Sequence, residues 1–272
     1  MTNQVVLITG ATSGIGFQTA KFLVEQGHTV YGAGRRADKL EVLQNLGVKS
    51  VKMDVTNEES MQNVVHYIFK QEGKIDVLIN NAGYGSYGAV EDVTIEEAKK
   101  QFEVNLFGLA KLTQLVLPHM RSKNYGRIIN ISSMGGRLTS FMGAWYHATK
   151  YALEGFSDAL RMEVKQFGID VILIEPGGIK TDWGFIAADH LEESAKSVAY
   201  AEIAKKTAKG MRKQYSGNMM SNPIIISKAI SKAINSNKPR TRYLIGFGAK
   251  PLVFLHTILP DRVFDYIMIH AS

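Results

Sequence analysis

Short runs of apolar residues alternate along the chain with longer stretches in which apolar positions recur every three or four residues. The short runs cover residues 4–8, 29–34, 50–53, 76–79, 127–131, 170–174 and 241–245, and each predicts a buried strand. The intervening periodic stretches predict helices over about 15–26, from Asp38 onward, over 56–72, 94–121 and 144–166, and from Asn222-Pro223 to 235. Gly27 is the expected C-terminal stop of the first. The pairs Asp38/Glu41, Thr56/Glu59 and Thr94/Glu97 have the spacing of capping boxes. In the long helix after Thr94 the apolar stripe is Phe102, Leu106, Leu109, Leu112 and Val116, and Asn105 falls on the same side. A buried asparagine needs hydrogen-bond partners, so a structural tie between helix and strand and a functional role are both open. Strand–helix alternation on this scale predicts an α/β fold with a doubly wound parallel sheet and right-handed crossovers. No repeat, low-complexity run or linker divides residues 1–272, so one domain is expected.

Two regions depart from the alternation. Residues 180–221 mix aromatics (Trp183, Phe185, Tyr200, Tyr215), methionines and lysines, and predict a helical flap over a pocket. The tail, 248–272, is apolar but broken by His256, Pro260, Asp261, Arg262 and Asp265, which argues against a membrane span. Core packing is its expected role; closing a pocket, packing on a second subunit and touching a membrane surface are the alternatives.

Composition narrows the chemistry. The 272 residues include no cysteine, which excludes disulfides, thiol catalysis and cysteine metal sites. No gathering of acids and histidines predicts a metal. The net charge of +7 is dispersed along helical stretches without a basic stripe or recognition motif, so no nucleic-acid partner is expected. The N-terminus lacks a basic region and cleavage site, and a cytoplasmic location is the default expectation.

The candidate chemistry lies at the predicted strand ends. After the first strand, Thr9-Gly10-Ala11-Thr12-Ser13-Gly14-Ile15-Gly16 combines a tight turn with the start of a helix, so that backbone N–H groups can approach a pyrophosphate. It is not a phosphate-binding loop of the Gly-Lys-Ser/Thr type. The second strand ends in Gly34-Arg35-Arg36, where NAD sites carry an acidic residue for the ribose. Two guanidinium groups there suit the extra phosphate of NADP(H), with NAD(H) as the alternative cofactor. Tyr146 and Lys150 lie four residues apart on a predicted helix and so share a face. A cation beside a phenol is expected to lower its pKa from about 10 and make it a proton donor and acceptor near neutrality. Taken alone, the pair also fits an aromatic packed beside a solvated lysine.

Together, Thr9-Gly10-x-x-x-Gly14-x-Gly16, Asn80-Asn81-Ala82-Gly83, Asn105, Ser133, Tyr146-x-x-x-Lys150 and Pro176-Gly177-x-x-Lys180-Thr181 resemble the short-chain dehydrogenase/reductase family in type and order. Ser133 precedes Tyr146 by thirteen residues, as in that family, and the resemblance covers about residues 4–182. It implies a Rossmann-type domain and an oxidoreductase that interconverts a carbonyl and an alcohol. Tyr146 would be the acid/base, Lys150 would lower its pKa and bind the nicotinamide ribose, Ser133 would hold the substrate oxygen, and Asn105 would anchor a proton-relaying water chain. The turn Gly10, Thr12, Ser13, Gly14, Ile15 and Gly16 would hold the pyrophosphate. Asp54 and Val55 would contact adenine, Asn81 with Ala82 and Gly83 the adenosine side, and Ile179 and Thr181, after Pro176-Gly177, the carboxamide. Arg35 and Arg36 resemble the NADP-preferring branch. The flap and tail resemble members acting on lipophilic steroids and retinol. The family also implies a homodimer or homotetramer. A catalytically silent NADP-binding sensor on the same fold is the competing reading.

Overall fold

The computed structural model describes residues 3–270; the first two and last two residues of the expected domain lie outside it. The chain runs β1 (Val5–Thr9), α1 (Gly14–Glu25), β2 (Thr29–Gly34), α2 (Ala37–Gln44), β3 (Lys49–Lys52), α3 (Glu58–Glu72) and β4 (Val77–Asn80). It continues through α4 (Ile95–Phe102), a π turn (Glu103–Phe107), α5 (Gly108–Ser122), β5 (Gly126–Ile131), α6 (Ala144–Val164) and β6 (Ile169–Pro176). The last elements are α7 (Trp183–Ser194), α8 (Val198–Ser216), α9 (Ile224–Asn235), β7 (Arg242–Ile245), α10 (Ala249–Ile258) and α11 (Asp261–His270). The seven strands form one sheet in the order β3-β2-β1-β4-β5-β6-β7, and every neighbouring pair is parallel. This is the doubly wound parallel sheet read from the alternation and the Rossmann-type domain implied by the family resemblance.

The apolar runs are continuous because successive residues feed opposite cores. Val6 and Ile8 of β1 join the core under α1, α2 and α9, whereas Val5 and Leu7 join the core under α3, α5 and α6. The order reverses between β1 and β4, so the loops after β1, β4 and β5 open into one crevice at the carboxyl end.

Several local expectations are corrected. Asp38 does not cap α2: Arg36 takes the N-cap position and Asp38 sits in the first turn, where its charge still opposes the helix dipole. Thr56 does not cap α3 either. Asn57 accepts from Ser60 N at 2.8 Å, while the Thr56 hydroxyl donates to Asp54 Oδ1 at 2.8 Å; adjacent cap-forming residues compete, and the asparagine wins. Thr94 does cap α4, accepting from Glu97 N at 3.2 Å, but the Glu97 carboxylate accepts from the Tyr84 hydroxyl at 3.0 Å instead of closing the box. The long helix is interrupted at Asn105 by the π turn, and of the expected stripe Leu109, Leu112 and Val116 are buried while Phe102 and Leu106 are half-buried.

The flap is helical as expected. The tail only partly packs inward. Val253 and Phe264 are buried with Leu138, yet Phe254, Ile258, Tyr266 and Ile269 are exposed. Among the described residues no helix is long and apolar enough to cross a membrane.

Candidate active site

The glycine turn between β1 and α1 is built by close approach. Gly10 and Gly14 have φ of +64° and +55°, where a side chain would strain the backbone. Thr9 Oγ1 accepts from the N–H groups of Asn81 and Ala82, both at 2.9 Å. Asn81 Nδ2 donates back to Thr9 O at 2.9 Å and Gly10 O at 3.2 Å. The Asn81 amide thus braces the turn from β4. Gly16 lies behind it, where a Cβ would sit 2.4 Å from that amide nitrogen.

At the end of β2 a Gly34 Cβ would meet Thr12 Cγ2 at 2.5 Å, so a carboxylate there would have to move the Thr12 side chain that Arg36 holds. Arg36 is pinned, donating to Thr12 Oγ1 and Ser13 Oγ at 3.0 Å each. Arg35, exposed, edges the same cavity. Asp54 Oδ1 already accepts the Thr56 N–H and hydroxyl, and the Val55 carbonyl packs so closely on Gly108 that a Cβ there would lie 2.2 Å from it. These groups, with Ala82, Gly83, Pro176, Gly177, Ile179 and Thr181, line a cavity of about 860 Å³ that also holds Ser133, Tyr146 and Lys150. The cradle suits a dinucleotide: a turn with glycines at its two positive-φ positions before a helix N-terminus, cations beyond the second strand and an open end toward Tyr146.

Tyr146 enters the cavity from the first turn of α6 and is buried. Tyr87, Trp183 and His147 surround its ring, with centroids at 5.7, 5.1 and 5.5 Å. Ser133 accepts from Gly135 N at 2.9 Å, which leaves its hydroxyl proton free for a second partner. Lys150, buried one turn along α6, donates to Ile131 O at 2.9 Å. Its Nζ lies 5.9 Å from the Tyr146 ring centroid.

Burial, not a neighbouring cation, sets the direction in which the Tyr146 phenol is shifted. Burial raises the Tyr146 pKa above its ordinary value, Tyr87 and Tyr215 add to the shift, and only Ser133 opposes it. Burial also lowers Lys150 to about 8, with Glu154 opposing. Burying both groups penalises both charges, which spacing on a helix cannot reveal.

Asn105 is buried behind the cavity and hydrogen-bonded through both its amide oxygen and its amide nitrogen. Its Oδ1 accepts from Tyr84 N at 3.1 Å, and its Nδ2 donates to Tyr84 O at 3.0 Å and Thr149 Oγ1 at 3.1 Å. It ties the loop after β4 to α6, not a helix to a strand.

Sequence reasoning passed over Tyr87, Phe141 and His147 among the walls of the cavity. Tyr87 and Phe141 sit on loops without periodicity. His147 accepts from Ser140 N at 2.9 Å, so Nε2 is the acceptor and Nδ1 donates to Gly135 O at 2.8 Å. Burial lowers its pKa, and it serves as a neutral clamp on the loop before α6. Trp183, Ile186, Met211 and Tyr215 come from the flap, and Leu252, Ile267 and Met268 from the tail. Among the described residues no three histidine, aspartate or glutamate side chains are gathered to hold a metal.

Comparison with known proteins agrees with this geometry. The short chain dehydrogenase family model matches residues 4–191. A probable short-chain type dehydrogenase/reductase of Helicobacter pylori is 40% identical over 96% of this chain and 95% of its own. A 3-ketodihydrosphingosine reductase of Bacteroides thetaiotaomicron is 38% identical over 98% and 97%. The crystal structure of a short-chain dehydrogenase from Streptomyces avermitilis superposes with a TM-score of 0.81 at 32% identity, covering 94% of this chain and 93% of that one. The chain belongs to the short-chain dehydrogenase/reductase family, and it is an oxidoreductase acting on an alcohol or carbonyl group.

Proposed function

We propose that this enzyme, folded as a single domain, uses NADP(H) to reduce a lipophilic carbonyl compound, with Tyr146 as the proton donor. The observation that carries the reading is the shape of the cavity. One end is the glycine cradle edged by Arg35 and Arg36, and the other is walled by Trp183, Ile186, Met211, Leu252 and Met268. Bound nicotinamide would supply the hydride. The protein's part is then to orient the carbonyl and manage one proton. The Ser133 hydroxyl, its oxygen already engaged by Gly135 N, points a donor at the substrate oxygen. Tyr146, kept protonated by burial, gives its proton to the same atom. Lys150 stands between the Ile131 carbonyl and the space for a ribose. Asn105 holds the wall behind Gly83, next to Lys150, where a proton-relaying water chain would start. Glycine at position 34 and the exposed Arg35 guanidinium favour a 2′-phosphate over a bare ribose. The relative named for reducing 3-ketodihydrosphingosine supports a lipophilic substrate. A homo-oligomer in the cytoplasm remains part of the same reading.

Titration of the protein with NADPH and NADH, followed by cofactor fluorescence, tests it. NADPH should bind more tightly, and Arg35→Ala should weaken NADPH roughly 10- to 100-fold, the loss of a charged hydrogen bond, while sparing NADH. Equal loss of both cofactors would count against a phosphate contact.

A further inference from the structure

One turn beyond Lys150 on α6 lies Glu154, a buried carboxylate that the reading above does not use. Its surroundings are unusual. Arg242 of β7 reaches it with Nε, 3.1 Å from Oε2. The same Nε is 3.1 Å from Oε1 of Glu175 on β6, and Nη2 donates to Asp158 on α6 at 2.7 Å. Arg137, from the loop before α6, adds a bond of 3.3 Å to Glu175, and Arg161 takes Asp158 at 2.6 Å. One guanidinium is therefore divided among three carboxylates. Glu154 receives the smallest share of cation, because Glu175 and Asp158 each have a second arginine and it does not.

The neutral neighbours point the same way. A Cβ on Gly136 would meet Glu154 Cγ at 2.9 Å and Ser132 Oγ at 3.0 Å, so the carboxylate is packed against the turn that carries Ser133. Glu154 Oε1 and Ser132 Oγ are buried and make no hydrogen bond of ordinary geometry, although the serine is near enough to favour the ionised carboxylate. Lys150, one turn back on the same helix, is also buried, and among the described hydrogen bonds its ammonium donates only to Ile131 O.

We propose that Glu154 is a positioning residue of the hydride-transfer site, acting through Lys150 by supplying the buried negative charge that keeps its ammonium protonated while Tyr146 gives up its proton. This rests on the role of Lys150 proposed above, but its test needs neither cofactor nor substrate. Two buried opposite charges one helical turn apart stabilise each other far more than an exposed pair does, because little solvent screens them. The charge on Lys150 is otherwise opposed by its burial, and Glu154 is the group that offsets this. Glu175 and Asp158 lie farther along the network and hold Arg242 in place, so Arg242 does not neutralise Glu154 completely.

The experiment is a pH titration of the Lys150 side chain by NMR in protein labelled with ¹³C at lysine Cε, with the resonance assigned by its loss in Lys150→Arg. In Glu154→Gln the Lys150 midpoint should fall by about one pH unit, the size of shift a close opposite charge produces. In Glu154→Asp, which keeps the charge, it should stay within a few tenths. An unchanged midpoint in Glu154→Gln overturns the proposal, as does an equal fall in Glu154→Asp, which would make shape rather than charge the cause. Should Glu154→Gln not fold, the wild-type curve decides. Coupling requires a second, smaller inflection of the Lys150 signal as Glu154 ionises, and a single-step curve overturns it. Failure here with intact NADPH binding would remove Glu154 and leave the cofactor reading standing. Loss of NADPH binding in the wild type would do the reverse.

Discussion

Among individual residues, Tyr146 bears the sharpest demand. It is buried among Tyr87, Trp183 and His147, and that burial holds the phenol neutral. A neutral phenol is the competent form for giving a proton to a carbonyl oxygen, and only the hydroxyl matters for that step. Tyr146→Phe keeps the ring contacts and removes the proton. It should lower the turnover of a reducible carbonyl by roughly 10²–10⁴-fold, with NADPH affinity unchanged by fluorescence titration. Full activity would remove Tyr146 from the proton-donor role. The positions around this site were readable because motif spacing ties each to a strand end or helix turn: Ser133 follows β5, and Tyr146 with Lys150 shares a face of α6. Their electrostatics were not readable. Lys150 is charged to the eye of a sequence reader, yet burial lowers its pKa to about 8, and burial is a property of the packed molecule. Glu154 escaped for the same reason, since an acid four residues after a lysine looks like an exposed helical ion pair.

At the scale of elements, the strands were the most legible part. Each is a short apolar run between turn residues, and boundaries moved by only a residue or two, as at β3 and β4. Caps were less legible, because Thr56-Asn57 offers two cap-forming side chains in succession and packing chooses between them. The π turn at Glu103–Phe107 was invisible, since one extra residue per turn barely disturbs an apolar stripe. The flap hairpin of α7 and α8 has one anchor worth testing. Asp92 accepts from Ser197 N at 3.2 Å and from its hydroxyl at 3.1 Å, fixing the start of α8 to the loop after β4. No side chain of α8 itself caps that end. Asp92→Ala should therefore loosen the flap without unfolding the sheet. Limited proteolysis should cut within 183–216 faster than in wild type, while global stability falls by only about 1 kcal/mol. Unchanged cleavage would mean that the apolar packing of Ala187, Leu191 and Ala204 suffices to hold the flap.

Across the whole molecule, the core and the active site pull stability in opposite directions. The two apolar layers on either side of the sheet stabilise the fold at every pH, whereas the buried charges at its carboxyl end cost stability where they are ionised. Burial raises Glu154 to about 7, and Glu175 adds to the shift while Ser132 and Arg242 oppose it. A carboxyl raised on folding contributes stability that is whole below its unfolded pKa of about 4.3 and lost as pH rises through the folded value. Lys150 runs the other way: lowered to about 8, it contributes stability that is whole above its unfolded pKa of about 10.4 and lost as pH falls through 8. Both penalties are therefore largely in force between pH 7 and 8. Replacing Glu154 by glutamine removes one of them and leaves Arg242 its bonds to Glu175 and Asp158. The midpoint of thermal unfolding of Glu154→Gln should match wild type below about pH 4, where the glutamate is protonated in both the folded and the unfolded chain. It should rise above wild type by a few degrees at pH 8, at about 2–4 °C per kcal/mol for a chain of this size. A difference of the opposite sign at pH 8 would mean that Arg242 neutralises Glu154 fully, and would turn the buried acid from a strained partner of Lys150 into an ordinary strut between α6 and β7.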